Sequence, residues 1–165
     1  NINTLIEELT YKLEFKAYEN ARQYYKMADY RAANVAFENV LYDFPSTKLA
    51  PKIHEYILRS KYELAVNSIY DLKKERIENA IAYTKQIERD MPNTSNAKLA
   101  TELRNKLAKE KEDFLEVEKK VELRKQEIQD KIKAEEARAN AEKDKREAAK
   151  KTTEVETDST AVTTP

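Results

Sequence analysis

Hydrophobic residues recur every three or four positions along most of the chain, which is the spacing of one face of an α-helix. The clearest runs are Leu5, Leu9 and Leu13, then Ala17, Ala21, Tyr24 and Ala28, then Ala33, Phe37, Val40 and Leu41. This spacing predicts amphipathic helices near residues 3–13, 15–28, 31–43, 48–67, 74–90 and from 96 onward.

Proline and capping residues separate the predicted helices. Pro45 and Pro92 each end a helix, and Ser, Thr or Asn follows each proline where the next helix can be capped. A longer break is predicted over residues 67–73. Alanine stands twelve residues before each proline, at Ala33 and Ala80. The pattern therefore indicates repeated helical hairpins.

The C-terminal third of the chain is charged. A heptad written from Ala100 puts charged residues at four of its positions, Glu110, Arg124, Lys131 and Glu135. A stable coiled-coil seam needs sustained apolar residues, so we expect a solvated helix here, packed on the repeats through about Val121. Self-association, or contact with a membrane or a partner helix, remains an alternative. Half of residues 152–165 are Ser or Thr, which predicts a disordered tail.

The composition excludes several classes of site. The chain contains no glycine, although roughly 7% is usual, and this removes glycine-rich nucleotide loops and the nucleophile elbow of hydrolases. It has no cysteine, so thiolate zinc sites, disulfides and cysteine nucleophiles are excluded. His54 is the only histidine, and we expect it to have a surface or interhelical role. We predict no enzyme activity, no catalytic, cofactor-binding or metal-binding residue, and no cofactor.

The charge of the chain bears on its partners. Lys and Arg number 31, as do Asp and Glu, so the net charge is zero and nucleic acid is not an expected partner. No apolar run approaches the roughly 18 residues of a membrane-spanning helix.

The first hairpin resembles a tetratricopeptide repeat. Its Ala21-x-x-Tyr24, Ala33-x-x-x-Phe37 and Pro45 have the spacing of that motif, with Ala21 where glycine is usual. We expect an all-α fold, a tetratricopeptide-like helical-hairpin solenoid over residues 1–107. A charged extended helix over 108–151 and the disordered tail over 152–165 would follow it.

A narrower resemblance covers residues 2 to about 107. Tyr24-Tyr25, Tyr30-x-Ala-Ala, Asp43-Phe-Pro, Ala65-x-Asn-Ser and Lys74-x-Arg occur in the order found in the C-terminal repeats of the BamD family. These are tetratricopeptide lipoproteins of the outer-membrane β-barrel assembly machine of Gram-negative bacteria.

This resemblance implies a non-enzymatic scaffold on the periplasmic face of the outer membrane. Its partners would be the POTRA domains of the barrel-forming subunit and other subunits of the assembly complex. The resemblance also implies that the protein reaches the membrane only through a lipid anchor. This anchor and the earlier repeats would lie outside this chain. The alternative is a general tetratricopeptide adaptor that binds a peptide segment of a partner protein.

Helical geometry suggests which residues meet a partner. We expect Tyr24 and Phe37 in the core, and Tyr18 and Tyr25 as candidates for a peptide groove. A second set of candidates lies on α-helical positions turned away from Ala33 and Phe37. We predict that this set forms a docking stripe: Arg31, Asn34, Val35, Glu38 and Tyr42.

Overall fold

The protein is all-α. The computed structural model describes residues 1–159, and the surroundings of side chains as far as Thr152. This part of the chain contains no strand and forms five helices: α1 (Ile2–Lys26), α2 (Tyr30–Asp43), α3 (Ala50–Val66), α4 (Tyr70–Asp90) and α5 (Ser95–Ser159). The predicted fold class is confirmed.

Successive helices pack against one another as hairpins. Helix α1 packs on α2, α2 on α3 and α3 on α4, while α1 also touches α3. The chain divides into a first unit, Asn1–Leu115, and a second that begins at Glu116. The first unit therefore extends beyond residue 107, because Leu107 and Phe114 of α5 are both buried in it.

An aromatic cluster forms the centre of the first hairpin. Phe37 is fully buried and stacks on Tyr56 of α3, with ring centroids 5.1 Å apart and planes 6° apart. Tyr18 of α1 lies 6.0 Å from Phe37 and 6.3 Å from Tyr56, measured between ring centroids. Ala21 and Ala33 are fully buried beside them, and their small side chains let α1 and α2 approach closely.

The second hairpin and the start of α5 share two further clusters. Ala65, Ile77 and Ala80 pack with Leu107 and Phe114, and Leu58 and Ile87 pack with Ala100 and Leu103. Polar contacts tie the same elements together, since Asn96 donates a hydrogen bond to the Pro51 carbonyl and Arg104 pairs with Glu88. The start of α5 is therefore part of the repeat array.

Helix α1 is longer than the sequence suggested. Two helices were expected over residues 3–13 and 15–28, but Ile2–Lys26 is one helix, because Glu14 between them is a good helix former and nothing there breaks the backbone ladder. Its C-terminus is a Schellman motif, in which the Ala28 amide bonds to the Tyr25 carbonyl and the Asp29 amide bonds to the Tyr24 carbonyl.

Ala28 has a positive φ of 58°, in the left-handed region that this motif usually fills with glycine. The next residue, Asp29, then caps α2 by accepting a hydrogen bond from the Ala32 amide. A chain without glycine thus makes a glycine-type helix end with alanine. Asn93, with a φ of 63°, occupies the left-handed region before α5.

The break between α3 and α4 is shorter than the predicted 67–73, because α4 already begins at Tyr70. Side chains close the connection: Asn67 donates to the Glu63 carbonyl, Lys73 donates to the Val66 carbonyl, and Arg76 donates to Ser68 Oγ. The Lys73 bond satisfies the Val66 carbonyl at the end of α3, where helical partners run out.

The second unit is helical from Glu116, and its described side chains are mostly exposed. On α5, Glu102–Lys106 and Glu142–Arg146 form ion pairs at four-residue spacing, while Glu116 pairs with Lys119 and Glu127 with Arg124. The helix continues past Lys151, where it was expected to end, as far as Ser159, the last described residue. Within the tail that we expected to be disordered, residues 160–165 lie outside the described residues.

Tyr24 is not a core residue, which corrects the sequence prediction. The buried side of α1 is formed by Tyr18 and Ala21, with Tyr25 packed against it, whereas 41% of Tyr24 is exposed. Each residue turns a helix by about 100°, so Tyr24 lies some 100° from Tyr25, at the margin of the buried face.

Truncation to alanine should distinguish the buried Phe37 from the partly exposed Tyr24 by its effect on stability. We expect Phe37→Ala to lower the free energy of unfolding by about 3–5 kcal/mol, because it removes a fully buried ring from the aromatic cluster. Tyr24→Ala should cost less than about 1 kcal/mol. Chemical denaturation followed by circular dichroism measures both, and equal losses would contradict this description of α1.

The left-handed residue between α1 and α2 gives a second prediction. Ala28→Gly should raise the free energy of unfolding by about 0.5–1 kcal/mol, because relief of the Cβ clash exceeds the entropy that glycine adds to the unfolded chain. Ala32→Gly, inside α2, is the matched control and should lower it by about 0.5–1 kcal/mol. If both substitutions destabilise the protein in the same denaturation experiment, the connection is not strained at Ala28.

Candidate partner-docking surface

Three residues of the predicted docking stripe form an exposed row on α2. Arg31, Val35 and Tyr42 lie opposite the buried residues of this helix. Tyr42 is 86% exposed and Val35 55% exposed, although both side chains are largely apolar. We call these three residues the outer row.

A shallow cavity of about 470 Å³ adjoins the outer row where α1 meets α2. Arg31 and Val35 line it on one side, and the half-exposed ring of Tyr24 lines it on the other. Ala32 and Ala36 lie between them, and their small side chains leave the cavity open. The cavity gives an incoming apolar side chain a place beside a guanidinium group.

The other two stripe residues lie beside the outer row, and the prediction is wrong for Asn34. Asn34 is buried, and its Oδ1 has no hydrogen-bond partner within the described part of the chain. Glu38 forms an ion pair with Lys61 of α3, 3.0 Å apart. Both are on the side of α2 that faces α3, because α3 packs against one flank of α2 and covers part of the stripe.

Neither predicted groove tyrosine lines an open groove as a free side chain. Tyr18 is only 7% exposed and is part of the aromatic cluster, where burial raises its pKa to about 12. Tyr25 packs edge-on against Tyr30 and Tyr56, with ring centroids 5.5 Å and 4.9 Å away. One edge of Tyr25 reaches a cavity of about 230 Å³ that residues of α3 and α5 also line.

A second exposed apolar surface was missed at the sequence level. It follows one face of α1 at spacings of three and four, and each of its residues is more than half exposed: Ile2, Leu5, Ile6, Leu9 and Leu13. The signal was present in the Leu5, Leu9 and Leu13 spacing. That spacing predicts only an amphipathic helix, because periodicity alone does not reveal whether a neighbour covers the apolar face.

A groove also opens between α2 and α4, with α3 as its floor. It encloses about 490 Å³ and is lined by Glu38, Leu41, His54, Ile57, Lys61, Asn79, Ala82, Tyr83 and Gln86. His54 Nδ1 is 2.8 Å from the Tyr83 hydroxyl, so the histidine is interhelical, as expected. The Lys61 ammonium lies 5.3 Å from the centre of the Tyr83 ring while it pairs with Glu38.

Burial controls the ionisation of this groove. It lowers the pKa of His54, against a smaller opposing effect from the Asp90 carboxylate. It also raises the pKa of Tyr83 well above its usual range, and the Glu38 carboxylate acts in the same direction. Both groups are therefore neutral near pH 7, and the Glu38–Lys61 pair has no net charge.

No group of three or more His, Cys, Asp or Glu side chains in the described part of the chain is arranged to hold a metal ion. None of its helices combines the length and apolar character needed to cross a membrane.

The His54 environment predicts a pH effect on stability. Because the folded-state pKa of His54 is lowered, the unfolded chain binds its proton more readily, and the free energy of unfolding should fall as the pH drops from 7 to 5.5. His54→Gln keeps a hydrogen-bonding partner for Tyr83 but does not titrate. We expect its stability to fall less over this range, measured by denaturant titration at each pH. Parallel curves for the two proteins would contradict the assignment, since the chain has no other histidine.

Comparison with known proteins gives no relative from which a role could be transferred. No protein-family model matches the chain, and no curated protein matches it either. The role of the protein is therefore inferred from its own surfaces and from the motifs in its sequence.

Proposed function

We propose that the protein is a non-enzymatic scaffold subunit of the outer-membrane β-barrel assembly machinery and that it docks on POTRA domains of the barrel subunit. In this role it is a tetratricopeptide-repeat lipoprotein on the periplasmic face of the outer membrane. Its membrane attachment would come from a lipid outside this chain. The BamD-like motifs of α1 to α4 supply the identity of the partner.

The observation that carries the docking role is the outer row. Tyr42, 86% exposed, and Val35, 55% exposed, lie on the same face of α2. Arg31 lies on the same helix, nearer to the α1–α2 connection. Tyrosine and arginine are among the residue types enriched at the energetic centres of protein interfaces. The adjoining cavity at Tyr24 would accept an apolar side chain of the partner, and Arg31 would pair with an acidic one.

Rigidity of the hairpins supports a scaffold role. The outer row stands on a helix whose opposite face is anchored by Phe37, Ala33 and Val40, all buried. The backbone of such a helix is held in position before the partner arrives, so little backbone entropy is lost on binding. The exposed apolar row on α1 would suit stacking of a further hairpin, as the longer repeat array of the proposed family requires.

Substitutions in the outer row test the docking role. Val35→Glu combined with Tyr42→Ala should weaken binding to the purified POTRA region of the barrel subunit from the same organism by at least tenfold, about 1.4 kcal/mol. Isothermal titration calorimetry gives the dissociation constant directly. The matched control is Ile69→Glu combined with Tyr11→Ala, which replaces a β-branched residue by Glu and a tyrosine by Ala at exposed positions away from the row.

The outcomes separate the surface from the function. If both double variants bind like the wild type, the outer row is not the docking surface. If the wild-type protein itself does not bind the POTRA region, the proposed function is wrong.

A further inference from the structure

We propose that the exposed part of α5, from Val117 to Lys145, pairs with one helix of a partner protein, and that this helix carries an acidic residue at every seventh position. This part of α5 belongs to the second unit, which begins at Glu116. The outer row on α2 takes no part in it, so the interaction goes beyond the proposed docking on POTRA domains.

The second unit carries an apolar stripe. Val117, Ile128 and Ile132 are each nearly half exposed, and Val121 lies on the same side of the helix. Their spacings of four, seven and four residues place them within about 60° of one another, since a helix turns by about 100° per residue. Within the described residues, none of the four belongs to a buried cluster. The stripe is therefore free to meet another molecule.

A row of cations runs along the same side of α5, with one cation at every seventh residue. The members of this cation row are all exposed: Arg124, Lys131, Arg138 and Lys145. Arg124 pairs with Glu127, whereas the other three make no ion pair or hydrogen bond within residues 1–152. Seven residues correspond to about 10.5 Å along a helix, so the cation row extends over about 31 Å.

The seven-residue interval indicates what kind of surface the cation row meets. On a straight helix, a residue seven positions further on is turned by about 20°, so the row winds slowly around α5. A partner helix that supercoils with α5 follows this winding, as in a coiled coil. A flat surface such as a membrane does not follow it, because one side of a straight helix repeats at 3.6 residues. The interval therefore favours a helix.

The carboxylates beside the cation row favour a helix for a second reason. Glu135 and Glu142 lie four residues after Lys131 and Arg138, on the same side of α5. An anionic lipid surface or a nucleic acid would meet cations and carboxylates together, and their charges largely cancel. A partner helix contacts α5 position by position, so it can place an acidic residue against each cation and a basic residue against each carboxylate.

A second copy of this chain does not supply the complementary residues. Parallel pairing in register would set Arg124 against its counterpart and Glu135 against its counterpart, so like charges would face each other. An antiparallel register that sets Glu135 against Arg138 also sets Ile128 against Lys145, which leaves the apolar stripe facing a cation. The partner is therefore a different helix.

The heptad positions of α5 specify the sequence of that partner. Val121 and Ile128 occupy a positions, Glu135 and Glu142 occupy the next two a positions, and the cation row occupies the d positions. β-Branched residues at a favour parallel pairs of helices, in which equal positions face each other. The complementary helix therefore has two apolar and then two basic residues at a, and an acidic residue at each d.

A synthetic four-heptad peptide with Ile, Ile, Lys and Lys at its a positions and Glu at every d position tests this pairing. Isothermal titration calorimetry with the full chain should show one peptide bound per chain. Arg124→Glu combined with Lys131→Glu should weaken binding at least tenfold. A second peptide, with Lys at the two d positions that face these residues, should restore it.

Two further variants serve as controls. Lys119→Glu combined with Lys133→Glu reverses two exposed cations on the opposite side of α5 and should bind the first peptide almost like the wild type. The outer-row variant, Val35→Glu combined with Tyr42→Ala, should bind it like the wild type. This result separates failure of the helix pairing from failure of the proposed docking on POTRA domains.

Several outcomes would overturn the proposal. It fails if the wild-type chain does not bind the first peptide, if the Lys119 and Lys133 variant loses as much affinity as the cation-row variant, or if the second peptide does not restore binding. It also fails if the chain binds phosphatidylglycerol vesicles, or self-associates in sedimentation, and Ile128→Ser abolishes that behaviour. Those two results would assign the apolar stripe to a membrane or to a second copy.

Discussion

The stacking of Phe37 on Tyr56 is the contact on which the surfaces of this protein depend. It joins α2 to α3 at the centre of the array, and Tyr18 brings α1 to the same point. Rings of this size bury a large apolar area, and their offset and tilted arrangements have preferred geometries. The cluster therefore sets both the distance between the hairpins and their rotation about one another.

The surfaces on both sides of α2 follow from that contact. With Phe37 turned into the cluster, the opposite side of α2 carries Val35 and Tyr42 away from the array. The flank of α2 next to α3 carries Glu38 over Lys61, and this ion pair forms one edge of the groove. One helix thus serves two surfaces of different character, an exposed amphipathic row and a neutral, fixed groove.

The helices and the buried position of Phe37 could be predicted because they depend on local spacing and on helix breakers. The side on which Tyr24 lies could not, since α1 carries two rows at helical spacing, one through Tyr18 and Ala21 and one through Leu9 and Leu13. Periodicity identifies both rows as apolar but does not show which one meets α2. The same limit applies to Asn34, whose burial depends on where α3 crosses α2.

The groove depends on pairings across long stretches of sequence. His54 and Tyr83 are 29 residues apart, and nothing local to either residue indicates that they meet. Their contact follows from the register between α3 and α4, which the buried residues Leu58, Ile77 and Ile87 establish. The lack of glycine also restricts the connections between the helices. Connections closed by Ala28 and by Asn67 hydrogen bonds have fewer accessible conformations than glycine turns. A chain restricted in this way holds its surfaces in one shape before a partner binds, which the proposed scaffold role requires.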